Sequence, residues 1–459
     1  MNNTAKHYHL IGIGGIGMSA IAQVLLDRGI KVSGSDLRLS KITDDLKKQG
    51  AEIYIGHTLT NIKGAKVIVY SSAIKGDNPE IQAAREKGIP VIKRGLALAE
   101  LMKDKIVITV TGSHGKTTTT SLASHLLLNA GFLPTVAIGG ISKNIDTNAL
   151  LGRGDFFVAE ADESDGSFLY YHPRYSIITN IDYEHLDYYK EFKNVIKAFK
   201  EFINKTQKTG CVFASADDVN LKEILREYKN KYILFGLKSD ADIYPKAIRM
   251  DGLASEFDCF FKNKFMARFY LALGGKHNIS NALSVIALGL ELGIDLKRIK
   301  ETLATFQGTK RRLEIKFKDK NFLVIDDYAH HPTEIKATLA AIKNLKFNRL
   351  IAVFQPHRYS RTKLLLDEFG KSFTLADYII ITDIYPASEK PLEGISGERL
   401  SDKIGKFNQG TQETHFLPKE KIVPHILKII KPHDLIITLG AGDIVKTCDE
   451  LVEKLKRQS

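Results

Sequence analysis

The sequence predicts an α/β protein of about three domains, at the usual ~150 residues per domain, and two stretches carry the α/β assignment. From Lys105 to Thr120 an apolar β-type run, Ile106 to Val110, breaks into Gly112-Ser113-His114-Gly115-Lys116-Thr117, and a helix-patterned segment then runs to Gly131. Near the start of the chain a strand at Tyr8 to Ile11 meets Gly12-x-Gly14-Gly15-x-Gly17. A helix follows to about Arg28, Gly29 caps it, and a second strand ends at Asp36. Beyond both stretches, strand and helix patterns alternate, which suggests parallel sheets.

The first stretch in chain order matches the dinucleotide fingerprint with an acidic residue about twenty positions on. What it certifies is a diphosphate on a helix N-terminus and a carboxylate near a ribose hydroxyl, so any nucleoside diphosphate suits Gly12, Gly14, Gly15, Gly17 and Asp36. A strand at Lys66 to Tyr70 ends in Ser71-Ser72, another lies at Pro90 to Lys93, and the boundary of this first domain, 1–101, falls near Leu101.

The second domain, 102–313, opens with the phosphate-loop candidate. Gly112 and Gly115 let backbone N–H groups turn toward one point, and the helix N-terminus adds roughly half a positive charge there. Lys116 then reaches outer phosphates, and the Thr117 hydroxyl can ligate Mg²⁺. Val110 stands where the standard motif has its first glycine, so the loop is a variant. A strand at Phe156 to Ala161 delivers Glu160, Asp162, Glu163 and Asp165, and one at Tyr175 to Ile181 delivers Asp182, Glu184, His185 and Asp187. An acidic strand end beside a phosphate loop suits Mg²⁺, which takes oxygen ligands in a partly hydrated octahedron. A histidine after a strand also serves as a plain structural hydrogen bonder.

From Asp240 to Leu273 the pattern turns to short strands, ending at Gly274 and Gly275 before a helix. His277, Asn278 and Asn281 share one helical face by their spacing, either to contact a base or ribose or simply to cap the helix. Arg311 and Arg312 sit at an expected hinge. The third domain, 314–459, carries strands near Phe322 to Ile325, Leu350 to Phe354, Tyr378 to Thr382 and Leu435 to Leu439. Two strand ends are rich in chemistry: Asp326 to Pro332 and Gln355 to Arg361. Arg358 and Arg361, three apart at a helix start, suit a carboxylate that a guanidinium can bond bidentately.

Composition narrows the function classes. Among 459 residues, 44% hydrophobic and 26% charged content is ordinary for a globular protein. No stretch has the ~18 uninterrupted apolar residues of a membrane span, and the N-terminus lacks a signal-peptide layout. Three separated cysteines point to a reducing compartment, and none has metal-ligand spacing. The net charge of +13 comes from dispersed lysines without a nucleic-acid signature, which suits phosphorylated small molecules or simply solvated basic faces.

The motifs GSHGKTTT, EADESDGSF, NIDYEHLDY, GKHNISNA, TKRRLE, DDYAHHP and PHRYSRT, in this order over most of the chain, resemble the Mur ligases of bacterial cell-wall synthesis. GIGGIGMSA, EADESD and GAGDI are similar to the branch that joins L-alanine to UDP-N-acetylmuramate. The resemblance implies a Rossmann-like N-terminal domain for the UDP-sugar and a central P-loop ATPase domain with a parallel sheet plus a small antiparallel sheet. It also implies a Rossmann-like C-terminal domain that binds the amino acid and closes over the others. It implies ATP and Mg²⁺ as cofactors, with Gly112 to Thr117 and Thr118 around the nucleotide and Lys116 on its phosphates. Thr117 and Glu160 would take one Mg²⁺ and His185 a second. His277, Asn278, Asn281, Arg312 and Asp327 match nucleotide-contacting positions. Tyr328, His330, His357, Arg358 and Arg361 match positions around the incoming amino acid, with His330 or a nearby carboxylate as base. Some members carry a carbamylated lysine near the second metal, and Lys190, Lys193, Lys197 and Lys200 are the candidates here.

The expected partners are thus small molecules, with no nucleic acid and no membrane insertion. The expected state is a monomer or weak homodimer in the bacterial cytoplasm. Rival readings are a ligase attaching a whole tripeptide to the same sugar, a folylpolyglutamate synthase, a nicotinamide-dependent oxidoreductase with an added ATPase, and a nucleotide-gated sensor. The oxidoreductase lacks any evident hydride-transfer site.

Overall fold

The computed structural model describes residues 7–71, 73–387, 389–407 and 412–457. The first sheet is wholly parallel, with strands β1 (His7–Ile11), β2 (Lys31–Asp36), β3 (Glu52–Ile55), β4 (Val67–Tyr70) and β5 (Val91–Lys93) in the order β3-β2-β1-β4-β5. The chain reverses direction across the sheet between β1 and β4, so the glycine loop after β1 opens at the switch point, where such sheets receive ligands. Inside this sheet lies a polar network that the apolar pattern did not announce. Buried Glu80 accepts from Ser35 Oγ at 2.7 Å and Asn61 Nδ2 at 2.6 Å, with His9 Nε2 3.4 Å away and His57 Nδ1 3.0 Å away.

The second sheet has ten strands: β6 (Ile106–Thr111), β7 (Thr135–Ser142), β8 (Thr147–Leu150), β9 (Phe156–Glu160), β10 (Tyr175–Ile178), β11 (Cys211–Ser215), β12 (Tyr232–Phe235), β13 (Ile243–Asp251), β14 (Ala254–Phe261) and β15 (Lys264–Leu271). Their order is β15-β14-β13-β12-β11-β10-β6-β9-β7-β8, so the short strands after Asp240 extend the same sheet that carries the phosphate loop. β6 is flanked by β10 and β9, both parallel to it. That register brings the polar ends of all three strands to one edge.

The third sheet comprises β16 (Glu314–Lys318), β17 (Phe322–Asp327), β18 (Arg349–Phe354), β19 (Tyr378–Ile381), β20 (Glu413–Phe416) and β21 (Asp434–Leu439), ordered β16-β17-β21-β18-β19-β20. Only β16 runs antiparallel to its neighbour. Its apolar residues are buried on both faces, as parallel sheets require.

The chain forms two compact units. One holds residues 1–247, 257–271 and 280–308, and the other holds 248–256, 272–279 and 309–459; the division passes through β13, β14 and the helix Lys276–Glu291. The first two sheets therefore belong to a single unit and share one continuous core, from Leu10 and Leu25 through Leu101 to Phe157 and Phe168. Polar contacts join them as well. Asn148 Nδ2 donates to the Ile16 carbonyl at 2.8 Å and to Ser19 Oγ at 3.1 Å. Among the described residues no helix is long and apolar enough to cross a membrane. Burial pushes the thiols of Cys211, Cys259 and Cys448 up to about 12, which leaves none of them a ready nucleophile.

Glu80 offers a test of what buried polarity costs. Glu80→Ala strands the Ser35 and Asn61 donors, and unfolding in urea should show a loss of ~3 kcal/mol or more; an unchanged midpoint would mean that these groups find other partners.

Candidate functional site

The phosphate loop is pressed onto the end of β10. Gly112 has φ +128°, and a Cβ there would collide with Thr179 Oγ1, so no other residue fits. Ser113 N–H donates to the Asn180 carbonyl at 3.0 Å, and His114 N–H to Asn180 Oδ1 at 2.9 Å. In return, Thr179 Oγ1 donates to the His114 carbonyl at 2.6 Å and Asp182 N–H to Ser113 Oγ at 2.8 Å. Gly115, at φ +82°, then starts the helix Lys116–Asn129 without a side-chain cap. The helix thus begins at Lys116, just before the threonine run and ahead of the apolar pattern. Thr120 Oγ1 turns back onto the Lys116 carbonyl at 2.8 Å, across the first turn. Thr118 is buried in the same turn.

Lys116 lies folded along this loop. Its Nζ donates to the carbonyls of Gly112 at 2.6 Å and Ser113 at 3.1 Å, and to Glu163 Oε1 at 2.8 Å. Burial opposes its charge, yet Glu163 and Asp162 outweigh burial and hold its pKa above the usual lysine range. The same Glu163 oxygen lies 3.2 Å from His185 Nε2. Burial likewise lowers the His185 pKa, but the Glu163 bond and the Glu163 and Glu184 charges leave it raised. Glu163 is 1% exposed, and its second oxygen has no hydrogen-bond partner. On the other side of the loop Thr117 Oγ1 donates to Glu160 Oε1 at 3.2 Å, and Gly139 N–H to Glu160 Oε2 at 2.8 Å. Burial raises the Glu160 pKa despite the pull of Lys116. Two carboxylates, a hydroxyl and an imidazole thus surround one lysine, and the buried Glu163 oxygen without a hydrogen-bond partner offers a further oxygen donor. Mg²⁺ fits this oxygen-rich donor set.

The lysines after His185 turn elsewhere. Lys190 Nζ donates to the Asp187 carbonyl, Lys193 pairs with Glu191, Lys200 pairs with Glu227, and Lys197 is exposed. On the helix Phe192–Asn204 the inward positions are Val195, Ala198, Phe199, Phe202 and Ile203, with Phe199 edge-on against Phe168. Asn281 faces the phosphate loop, its Oδ1 2.8 Å from where a Gly115 Cβ would lie. Asn278 Nδ2 donates to the Gly274 carbonyl at 2.8 Å, a helix-start role.

At the other glycine loop, Gly12 has φ +78° and Gly15 is the N-cap of the helix Ile16–Asp27, again without a side-chain cap. Asp36 Oδ2 accepts from Gly14 N–H at 2.9 Å, so the acidic residue braces the loop itself. Ser71 Oγ accepts from Ala73 N–H and lies 3.7 Å from where a Gly12 Cβ would lie. Ser72 lies outside the described residues.

The second unit gathers its own cluster at the ends of β17, β18 and β21. Asp327 is 4% exposed and accepts from the Leu313 N–H at 2.6 Å and the Ala329 N–H at 2.8 Å. Burial nevertheless pushes its pKa up to about 6, against the pull of Arg312. His277 moves the other way: burial, then the Arg312 charge, bring it down to about 4. Arg312 Nη1 lies 3.4 Å from Glu334 Oε1, and the guanidinia of Arg311 and Arg312 lie 5.2 and 5.1 Å from the centre of the Tyr328 ring. Arg311 is structural at its other contacts, donating to Asp326 and to the Gly440 and Gly442 carbonyls.

His330 Nδ1 sits 3.0 Å from the Tyr328 carbonyl, an acceptor only, so the proton belongs on Nδ1. Its ring meets that of His357, which stacks on Tyr385 at 5.6 Å and 7°. Arg361 Nη1 reaches the His357 carbonyl at 3.3 Å. Arg358 has φ +72° and ψ 138°, a conformation almost reserved for glycine. Its N–H on the Tyr385 carbonyl, and its carbonyl under Thr362, hold it there.

Sequence reasoning singled out neither Arg94, Glu334 nor Tyr385, and it gave Glu163 no role. Arg94 and Tyr385 stand in no motif. Glu163 lay within the acidic cluster, but only packing reveals that it is the member shared by Lys116 and His185.

Comparison with known proteins covers the whole chain. Residues 7–106 match the model of the Mur ligase family catalytic domain, 110–289 the Mur ligase middle domain, and 311–442 the Mur ligase glutamate ligase domain. A UDP-N-acetylmuramate--L-alanine ligase of Geotalea daltonii is 46% identical over 456 residues, 99% of each chain. The crystal structure of a UDP-N-acetylmuramate-alanine ligase from Thermotoga maritima superposes with a TM-score of 0.84 at 31% identity, covering 99% of this chain and 100% of that one. A murein peptide ligase from Psychrobacter arcticus gives 0.73 at 26% identity, with 98% of each chain covered.

Two measurements follow from the second unit. Arg358→Gly should be more stable to urea than Arg358→Ala by roughly 1–2 kcal/mol, because only glycine relieves the backbone; equal stabilities would show that this conformation stores no strain. Asp327 and His277 should tilt the pH dependence of stability in opposite directions. The folded Asp327 pKa of about 6 lies above its ordinary 3.8, so its contribution is full below 3.8 and lost as pH rises through about 6. The folded His277 pKa of about 4 lies below 6.5, so its contribution is full above 6.5 and lost as pH falls through about 4. Between about pH 4 and 6, Asp327→Asn should therefore make stability climb more steeply with pH, and His277→Gln less steeply, each by up to one proton. Parallel slopes in all three proteins would contradict both shifts.

Proposed function

Because the chain belongs to the Mur ligase family, we propose that it is an ATP-dependent ligase joining L-alanine to the lactyl carboxylate of UDP-N-acetylmuramate, a cytoplasmic step of peptidoglycan synthesis. The observation that carries the ligase chemistry is the convergence of Lys116, Glu160, Glu163 and His185 around a single glycine loop. The choice of acceptor rests on the full-length relative from Geotalea daltonii and on the greater likeness to the Thermotoga maritima structure than to the murein peptide ligase.

A carboxylate is a poor electrophile and must be activated before an amine will attack it. One lactyl oxygen attacks the γ-phosphorus of ATP in line, forming an acyl phosphate and releasing ADP. Lys116 leaves its loop carbonyls for the outer phosphate oxygens and offsets charge on the transferring group, while the loop N–H groups and the helix N-terminus cradle the inner phosphates. Thr117 and Glu160 on one side, with His185 and Glu163 on the other, are the residues that would hold Mg²⁺. When bound, that ion supplies further charge neutralisation on the phosphoryl oxygens. The amine of L-alanine then attacks the acyl carbon, loses a proton and expels phosphate. Arg358 and Arg361 are assigned to the amino-acid carboxylate. His330, its Nδ1–H held by the Tyr328 carbonyl, directs Nε2 as the proton acceptor.

Phosphate release with ATP, UDP-N-acetylmuramate and L-alanine, omitting each in turn, tests the reading. Release that depends on all three is expected, and faster turnover with a tripeptide than with alanine would transfer the assignment to the recycling ligase. Lys116→Ala should lower turnover by roughly a hundredfold or more, the scale of one lost transition-state contact. Its affinity for the UDP-sugar should stay nearly unchanged, because that site uses a different glycine loop. Near-normal turnover would contradict the assignment of Lys116.

A further inference from the structure

Arg94 opens the helix Arg94–Met102 directly after β5, and the chemistry of phosphoryl transfer gives it no task. Its guanidinium touches two places at once. Nη2 donates to Asp162 Oδ2 at 2.8 Å. Nη1 lies against the first turn of the helix Ile16–Asp27, so close that a Cβ at Gly17 would collide with it, while Cζ lies 3.3 Å from the same point. The last glycine of the fingerprint therefore makes room for a cation at the mouth of the loop. The arginine is held in place by its neighbour, since Gly95 is buried where a Cβ would collide with Ser167 of the short segment Ser167–Tyr170. The Arg94 side chain remains 19% exposed and Asp162 34% exposed, so the pair borders solvent.

Placement and chemistry agree. The helix N-terminus beside Gly15 has no side-chain cap and favours an anion, and a guanidinium is the cation whose fork suits phosphate oxygens. Asp162 engages one end of that fork and leaves the other directed at the loop. We propose that Arg94 is a sugar-nucleotide-binding residue, with Nη1 bonding the diphosphate at the Gly12 to Gly17 loop while Nη2 stays on Asp162. The proposal rests on reading that loop as the diphosphate site of the UDP-sugar. Asp162 follows Glu160 by two residues at the end of β9, so one side chain ties the substrate's diphosphate to the strand end that serves phosphoryl transfer. Arg94 thereby fixes how far the sugar reaches from its diphosphate toward Lys116.

Titration of the full-length protein with UDP and with uridine separates this role from a structural one, because uridine lacks the diphosphate. Wild type should bind UDP more tightly than uridine. Arg94→Ala should lose roughly ten- to hundredfold in UDP affinity, the worth of one charge-assisted bond, with uridine binding unchanged, and Arg94→Lys should recover part of the loss. Unchanged UDP affinity, or an equal loss for both ligands, would overturn the proposal. Asp162→Asn leaves the guanidinium in place and should keep most of the UDP affinity. A loss there as large as that of Arg94→Ala would show that the pair only holds the helix, which also overturns it. A wild-type protein that binds neither ligand would instead remove the UDP-sugar reading, and the proposal with it.

Discussion

The closeness of two strand ends governs the centre of this protein. β6 and β10 are hydrogen-bonded neighbours, and the loop after β6 lies so near Thr179 and Asn180 that position 112 has no space for a side chain. From that contact the rest follows. The loop is pinned by hydrogen bonds between Ser113 and His114 and the residues Thr179, Asn180 and Asp182 that follow β10. Its helix starts at Lys116, and the ammonium group is delivered between the ends of β9 and β10, where the carboxylates are. A looser loop would leave Lys116 to choose among many positions, and its charge would be spent on solvent.

The lysine shows how buried charge is managed. An ammonium and several carboxylates removed from water are costly unless they satisfy one another. Here Glu163 serves both Lys116 and His185 through one oxygen, and the unpartnered second oxygen keeps the cluster short of balance. The same economy recurs at Asp327, whose carboxylate is buried on two backbone donors beneath Arg312.

Much of the site is legible in the amino-acid sequence, because its residues are bound to local features. Glycine loops that end strands and open helices are set by backbone rules acting over a few positions, so Gly12 to Gly17 and Gly112 to Thr117 stand out in the sequence. The acidic clusters at Glu160 and Glu184 are equally visible at strand ends. Other parts are not. The helix start at Lys116 is hidden by the threonine run, because β-branched residues are weak helix formers. Asp36 reads as a ribose ligand from its spacing, yet it also braces Gly14, a contact that depends on the twist between β1 and β2.

Local sequence was enough for the glycine-loop units, the strands that flank them and the chemical classes of the loops, since these depend on neighbours within a turn or two, but not for β3, β7, β8, β16 and β20. Tertiary structure alone decided that the first two sheets share one core, that the short strands after Asp240 extend the central sheet, and that one oxygen of Glu163 receives both Lys116 and His185. Arg94 is the sharpest case. Asp162 lies 68 positions further along the chain and Gly17 lies 77 positions before it, and only the packing of one helix start against two sheets brings a cation to both. Spacing rules cannot reach that far, because contacts across a core are set by shape and burial rather than by the period of a helix or strand.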